Sequence, residues 1–198
     1  MTVSQEKGPE EPQMPRGRPV EKLLVVVMGV SGCGKSTLGA HIASALALPF
    51  IDADDLHPLE NVEKMSRGEP LTDDDRAPWL ERVRDAAAAA AAHISADRAS
   101  STVVACSALK RAYREVLRCG PLRAVFVHPH GARDVLLSRM SARKNHFMKE
   151  GMLDSQIKTL EDPTGEDDVV RVPVEAGMTE QVQISLKGLE DLGVIRRM

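Results

Sequence analysis

The sequence predicts an α/β fold of three layers, in which a parallel β-sheet is flanked by helices on both faces. Apolar runs typical of buried strands alternate along the chain with segments typical of helices, and this alternation favours parallel strands joined by helical crossovers. A glycine-rich turn, "GVSGCGKS", lies between the first apolar run and the first helical segment. The 198 residues, 42% hydrophobic and 28% charged, fit one domain with a sizeable core.

Each element follows from its own pattern. Residues 22–28 form a continuous apolar run, which suits a central strand buried on both faces. Thr72 and Asp75 form a capping pattern before a long helix, and the alanine run Ala86–Ala92 continues that helix because alanine is the best helix former. The other predicted strands are "FIDAD" (50–54), "STVVACSA" (101–108), "LRAVFVHPH" (122–130) and "DVVRVPVE" (168–175), and the other predicted helices cover 36–48, 109–119, 132–146 and 178–192.

Composition excludes several classes of partner and location. The net charge of −3 gives no overall attraction to nucleic acid or to anionic membranes. The three cysteines are odd in number and lack metal-type spacing, which favours a reducing compartment. No apolar run approaches the roughly 18 residues of a membrane span. Residues 1–20 lack the apolar centre of a secretory signal. We expect a disordered tail over 1–20, a single domain over 21–198 and a cytoplasmic location.

The glycine-rich turn predicts a nucleotide phosphate site. It matches the pattern G-x-x-x-x-G-K-[ST] in full, between a strand and a helix, whereas a chance glycine-rich turn would need no such context. Lys35 is expected to reach the β and γ phosphates of ATP, and the Ser36 hydroxyl to bind Mg²⁺. The predicted nucleotide-binding residues are Gly29, Val30, Ser31, Gly32, Cys33, Gly34, Lys35, Ser36 and Thr37.

Acidic residues at the end of "FIDAD" predict the second half of this site. Asp52 follows Lys35 by 17 residues, which is about one helix and a return strand, so we expect the two to face each other across the site. Strand alternation sends Asp52 and Asp54 to one side. Asp52 would hold the Mg²⁺ shell and Asp54 would accept a proton from the attacking hydroxyl. A solvated acidic loop or a helix cap is the alternative.

Two other patterns carry no function. "DPTG" at 162–165 resembles part of a GTPase signature, but no convincing strand precedes it and the guanine-reading Asn-Lys-x-Asp motif is absent from the sequence. His128 and His130 resemble half of a metal site without evident partner ligands. We interpret them as ordinary histidines at the end of a strand.

Three longer stretches resemble the successive signatures of the gluconokinases: "DADDLHPLENVEKMSRGEPLTDDDRAPWL", "CSALKRAYREVLR" and "RKNHFMKEGMLDSQIKTLEDP". The resemblance runs in order over residues 24–163. It implies a P-loop kinase fold, related to shikimate and nucleoside-monophosphate kinases, with a mobile lid at about residues 139–160. The implied reaction is ATP plus D-gluconate giving 6-phospho-D-gluconate and ADP, catalysed by a cytoplasmic homodimer.

The same resemblance, with the charge and position of each side chain, suggests which residues meet the substrate and the transferring phosphoryl group. For Arg76 the alternative is an ion pair with Asp73 or Asp75. For His57 a loop-stabilising role also stays open, and for Lys110 a plain position on a helix surface. The expected substrate residues are Asp54, His57, Arg76, Ser107, Lys110 and His146, and the expected catalytic residues are Lys35, Asp54, Arg139 and Arg143.

Arg139 and Arg143 lie four residues apart and therefore share one helical face, which a lid could close over ATP. A solvated basic face is the alternative. Asn145 stands where the family usually has glycine, which puts the lid geometry in question. Two other functions stay open: a related kinase for shikimate or a nucleoside monophosphate, and a nucleotide-binding regulator without catalysis.

Overall fold

The computed structural model describes residues 16–92, 100–141 and 150–197. Its central strand, β2 (Leu23–Val27), is buried along its whole length. Alternate side chains enter different cores: Leu23, Val25 and Val27 pack on one face of the sheet, and Leu24 and Val26 on the other. The apolar run is continuous because both faces of this strand are covered, as predicted.

Among the described residues, five parallel strands form the main sheet in the order β3-β4-β2-β5-β6. The five predicted strands are all present, and each is shorter than its predicted range. Their bounds are β3 (Phe50–Asp52), β4 (Thr102–Ala105), β5 (Arg123–His130) and β6 (Val169–Pro173).

Helices cover both faces and complete the three layers. On one face, α1 (Lys35–Leu46) and α7 (Met178–Asp191) pack side chains such as Ile42 and Leu186 against the sheet. On the other, α3 (Asp73–Ala92) and α4 (Arg111–Arg118) contribute Trp79 and Leu117. The alanine run is helical, with Ala87 and Ala91 buried one turn apart. No helix in the described ranges is both long enough and apolar enough to cross a bilayer.

The structure corrects several boundaries. The predicted tail ends too late, because β1 (Gly17–Pro19) pairs antiparallel with β7 (Ile195–Arg197); residues 1–15 lie outside the described residues. The "FIDAD" strand stops at Asp52 and continues as a 3₁₀ turn over Ala53–Leu56. Sequence patterns also missed α2 (Leu59–Ser66).

Two helices lie at the ends of the predicted lid. They are α5 (Arg133–Ser141) and α6 (Glu150–Thr159), and residues 142–149 between them lie outside the described residues. Buried side chains of both helices, Leu136 and Leu153, form a third apolar cluster with Val30 and Cys33 of the glycine-rich loop. The two helices therefore pack directly against the loop.

Candidate active site

The glycine-rich loop connects β2 to α1, as predicted. The helix begins at Lys35, directly after Gly34, whose φ of 92° lies in the left-handed region that favours glycine. Gly32 has a φ of 81°, and a β-carbon there would lie 2.6 Å from Cγ of Met140. This close approach ties the loop to α5. The loop thus presents backbone amides at a helix N-terminus, an arrangement that binds phosphate.

Lys35 and Ser36 follow the loop with their polar atoms engaged. Nζ of Lys35 donates to the carbonyl of Val30 at 3.1 Å. The Ser36 hydroxyl donates to Oδ2 of Asp52 at 2.6 Å, so the end of β3 lies against the phosphate loop, as expected. Cys33 is fully buried and Thr37 is exposed on the first turn of α1.

Asp52 and Asp54 lie together for a reason other than strand alternation. Since the strand ends at Asp52, the alternation predicted for the pair does not extend to Asp54. Oδ1 of Asp52 instead accepts the backbone N–H of Asp54 at 3.2 Å and caps the 3₁₀ turn. The cap that we weighed as an alternative is therefore present, and it places the exposed Asp54 in the 3₁₀ turn directly after β3.

The buried thiol of Cys106 lies among these charges. Burial raises the pKa of Cys106 to about 12, and nearby charges act on it in both directions: Asp54 and Asp52 raise the pKa, and Lys35 lowers it. Both carboxylates and the ammonium group therefore influence the pKa of one thiol at the end of β4. The two acids and the lysine therefore lie near the same strand end, which agrees with their spacing in the sequence.

His57 is fixed by contacts that sequence reasoning missed. Its ring stacks on Trp79 with the ring centroids 4.2 Å apart. Nε1 of Trp79 donates to the carbonyl of Ala53 at 2.8 Å, so the buried tryptophan also anchors the 3₁₀ turn. Burial lowers the pKa of His57, against the opposing effect of Asp54, so the imidazole is neutral near pH 7. The stacking supports the loop-stabilising role that was the alternative for His57, and the expected substrate contact stays a prediction.

Arg76 is not in the ion pair that we considered as its alternative role. Its Nη1 donates to the carbonyls of Leu71 and Thr72. The direct ion-pair partner of Asp73 is Lys110, at 2.7 Å, and that of Asp75 is Lys64.

Asp73 and Lys110 form a small polar cluster with Tyr113, whose hydroxyl donates to Asp73 at 2.5 Å. The Arg76 guanidinium lies 5.8 Å from the centre of the Tyr113 ring. The bond to Lys110 is the main cause that lowers the pKa of Asp73. Nζ of Lys110 lies 5.6 Å from the same ring centre, so two cations lie around one aromatic ring. Lys110 is paired here, unlike a lone surface lysine.

The structure describes only some of the remaining predicted site residues. Ser107 follows β4, and its carbonyl accepts the N–H of Gly29 at 3.0 Å, which joins this strand end to the phosphate loop. Arg139 donates through Nη2 to the carbonyl of Val174, after β6. Arg143, Asn145 and His146 lie outside the described residues, so their expected roles stay predictions.

Helix α6 adds a contact that no sequence pattern indicated. The backbone N–H of Ser31, inside the phosphate loop, donates to Oε1 of Gln156 at 2.6 Å. Gln156 lies within the stretch that resembles the gluconokinases, but a single glutamine in a helix gives no signal of a long-range contact.

The residues present fit a magnesium ion. Mg²⁺ prefers oxygen ligands and commonly takes one or two protein oxygens together with phosphate and water. The Ser36 hydroxyl and the Asp52 carboxylate supply such oxygens in direct contact. Elsewhere, the described ranges contain no group of three or more metal-type side chains, and His128 and His130 have ring centres 5.9 Å apart without further ligands.

Comparison with known proteins identifies the family. A shikimate kinase family model matches residues 31–166. The thermoresistant gluconokinase of Escherichia coli (strain K12) is 43% identical over 171 residues, which cover 83% of this chain and 94% of that protein. The gluconokinase of Gluconobacter oxydans (strain 621H) is 46% identical over 150 residues, covering 75% of this chain and 80% of the relative.

A solved structure agrees with these relatives. The crystal structure of a gluconokinase from Sinorhizobium meliloti 1021 aligns with a TM-score of 0.76 and 46% identity, over 88% of this chain and 94% of that one. The shikimate kinase model matches more than half of the chain, and both relatives and this structure are gluconokinases at 43–46% identity over most of it. The chain therefore belongs to the gluconokinase family.

Proposed function

We propose that this protein catalyses the ATP-dependent phosphorylation of D-gluconate to 6-phospho-D-gluconate. The observation that carries the proposal is the hydrogen bond between Ser36 and Asp52, because it joins the last residue of a complete phosphate-loop motif to the acidic end of β3. Family membership supplies the acceptor, since the relatives that match most of the chain are gluconokinases. ATP is the phosphate donor that this family of kinases implies.

The phosphate loop and α1 would bind the triphosphate. Backbone amides and the helix N-terminus stabilise the phosphate oxygens, and Lys35 exchanges its bond to Val30 for the β and γ phosphates. Ser36 and Asp52 would hold Mg²⁺, which when bound neutralises charge on the phosphates. These residues would then align the γ-phosphoryl group with an incoming hydroxyl.

Asp54 would orient the acceptor hydroxyl of gluconate. In the in-line step the hydroxyl oxygen forms a bond to the γ-phosphorus while the bond to the β-phosphate oxygen breaks, and ADP leaves with that electron pair. The hydroxyl proton passes to the carboxylate late in the transfer. A carboxylate is a much weaker base than the alkoxide of an alcohol, so positioning is the main contribution of Asp54.

The substrate would lie between the 3₁₀ turn and α3. Arg76 and Lys110 supply positive charge for the carboxylate of gluconate, and the neutral His57 supplies a donor or acceptor for its hydroxyls. Ser107 lies at the same edge of the sheet. Arg139 and Arg143 would contribute positive charge from the predicted lid; for Arg139 this requires release of the Val174 carbonyl.

An acceptor screen tests the proposal. Purified protein is given ATP and Mg²⁺ with gluconate, other aldonic acids, shikimate or a nucleoside monophosphate, and ADP release is followed. We expect gluconate to accelerate ADP release more than any other acceptor. Preference for shikimate or a nucleotide would replace gluconate as substrate, and ATP binding without acceptor-dependent turnover would indicate a regulator. The cytoplasmic location and the homodimer also stay proposals; sedimentation tests the latter.

A further inference from the structure

The side chain of Gln156 occupies a position on the phosphate loop that the proposed mechanism leaves unused. The N–H of Ser31 donates to its Oε1 at 2.6 Å, just below the usual range of about 2.7–3.2 Å for such bonds. Ser31 is the third residue of the loop, and Gln156 lies 125 residues away in the sequence. Both residues are half-buried. The bond therefore joins α6 to the loop at the edge of the cleft.

Other contacts fix α6 in this place independently of Gln156. Leu153, one turn earlier, is fully buried in the third apolar cluster with Val30. Asp154 forms a two-pronged ion pair with Arg133 of α5, at 2.6 and 3.0 Å. Past the end of the helix, the N–H of Glu161 donates to the carbonyl of Leu109 at 2.9 Å. The helix does not need the glutamine to stay beside the loop.

The bond to Ser31 also settles which way the carboxamide is turned. Because a backbone N–H must meet an acceptor, the atom facing Ser31 is the oxygen, and Nε2 is the other atom of the group. Nε2 lies within a few ångströms of Ser31 N, since both amide atoms are bonded to one carbon. Within the described part of the chain, Nε2 has no hydrogen-bond partner. A donor with two hydrogens is thus held beside a loop built for anions.

We propose that Gln156 is a further residue of the phosphoryl-transfer site. Ser31 holds the oxygen of the carboxamide, and Nε2 donates to an oxygen of the γ-phosphoryl group during transfer. A fixed neutral donor at this point stabilises the charge on the transferring group without reorganisation. The proposal rests on the proposed kinase function but not on the identity of the acceptor.

Two substitutions separate this role from a structural one. Gln156→Leu removes both halves of the carboxamide, whereas Gln156→Glu keeps an acceptor for Ser31 and replaces the donor with negative charge. We expect both to lower kcat by about tenfold or more, with the glutamate variant at least as impaired. KM for gluconate and Tm should stay near wild type. The affinity for ADP, which lacks the γ-phosphate, should also be unchanged when it is measured by titration calorimetry.

Ser155→Ala is the matched control, since Ser155 is an exposed neighbour on the same helix. It should keep the kcat of the wild type.

Full activity of Gln156→Glu would mean that only the bond to Ser31 matters and would overturn the proposal, as would parallel losses of Tm, ADP affinity and kcat in both variants. If the wild type does not phosphorylate gluconate, gluconate is rejected as the acceptor, and the variants are then compared on the acceptor that the protein does use. If the wild type and both variants are equally active, only the role proposed for Gln156 is rejected.

Discussion

Asp52 shows how much one side chain determines at this site. One carboxylate oxygen accepts the Ser36 hydroxyl and the other accepts the N–H of Asp54. The same residue therefore joins β3 to the phosphate loop and turns the chain so that Asp54 emerges at the cleft. The oxygen proposed to bind Mg²⁺ and the residue proposed to orient the acceptor are both placed by a single side chain.

Asp54→Asn tests the division of labour between these two acids. The amide keeps the size of the side chain but cannot take the hydroxyl proton, so we expect kcat for gluconate phosphorylation to fall by about 100-fold or more. ATP affinity should stay near wild type, because the loop and Lys35 are unchanged. The test compares initial rates with titration calorimetry. Undiminished kcat would assign Asp54 to the solvated acidic loop.

Residues of the phosphate loop could be predicted because their pattern is local and contiguous. Asp52 could be predicted because parallel topology brings strand ends together. Trp79 and Gln156 could not, because their roles depend on contacts across 26 and 125 residues of sequence. Arg76 lies between these cases: its position was plausible from its charge, but its partners are backbone carbonyls that sequence does not reveal.

At the scale of elements, α4 is fixed by a buried arginine. Arg114 is fully buried, and its guanidinium bonds Glu166 at 2.5 Å as well as the carbonyls of Ala108, Leu109 and Glu161. Glu166 is shared with Arg118, which also pairs with Asp168. This network joins α4 to the loop after β4 and to the segment between α6 and β6.

Arg114→Leu should therefore be strongly destabilising. The substitution removes the guanidinium donor shared by three carbonyls, of which only Leu109 keeps a second donor among the described residues, the N–H of Glu161. It also weakens the pairing of a nearly buried carboxylate, so the free energy of unfolding should fall by about 3–5 kcal/mol. Urea denaturation measures it. Arg111→Ala on the same helix is the control: Arg111 is 70% exposed and 3.6 Å from Glu115, so its loss should change stability by less than about 0.5 kcal/mol. Equal effects of the two changes would contradict the network's importance.

Helices and strands with a long, regular sequence pattern could be predicted, whereas those that depend on pairing with distant segments could not. The strand β2 and the helix α3 carry continuous apolar or alanine-rich patterns over many residues. By contrast, β1 and β7 are three residues each and exist because they pair with each other. Helix α2 exposes Leu59 and Val62, so its pattern does not resemble that of a helix packed on a core.

For the molecule as a whole, His128 should make stability depend on pH. Burial, with the neighbouring His130 and Arg171, lowers the pKa of His128 from 6.5 to about 4, and its Nδ1 has no hydrogen-bond partner among the described residues. At pH values between 4 and 6.5, His128 is therefore more fully protonated in the unfolded chain than in the folded protein. The stabilising effect is therefore complete above pH 6.5 and is lost as the pH falls towards 4.

The expected loss from this residue is about 3 kcal/mol across that window. Urea denaturation at pH 7.5, 5.5 and 4.5 measures it, and His128→Leu should flatten the dependence. His41→Gln, at an exposed position of α1, is the control and should keep the wild-type slope. An unchanged slope in His128→Leu would show that other groups cause the acid sensitivity.

The most direct test of the whole account is product formation by the purified protein. ATP, Mg²⁺ and D-gluconate are supplied, and 6-phosphogluconate is detected through its oxidation by a coupled dehydrogenase. We predict saturable formation of 6-phosphogluconate that requires ATP and gluconate together and matches the ADP released. Tight ATP binding without any 6-phosphogluconate would contradict the assignment of this cleft to gluconate phosphorylation.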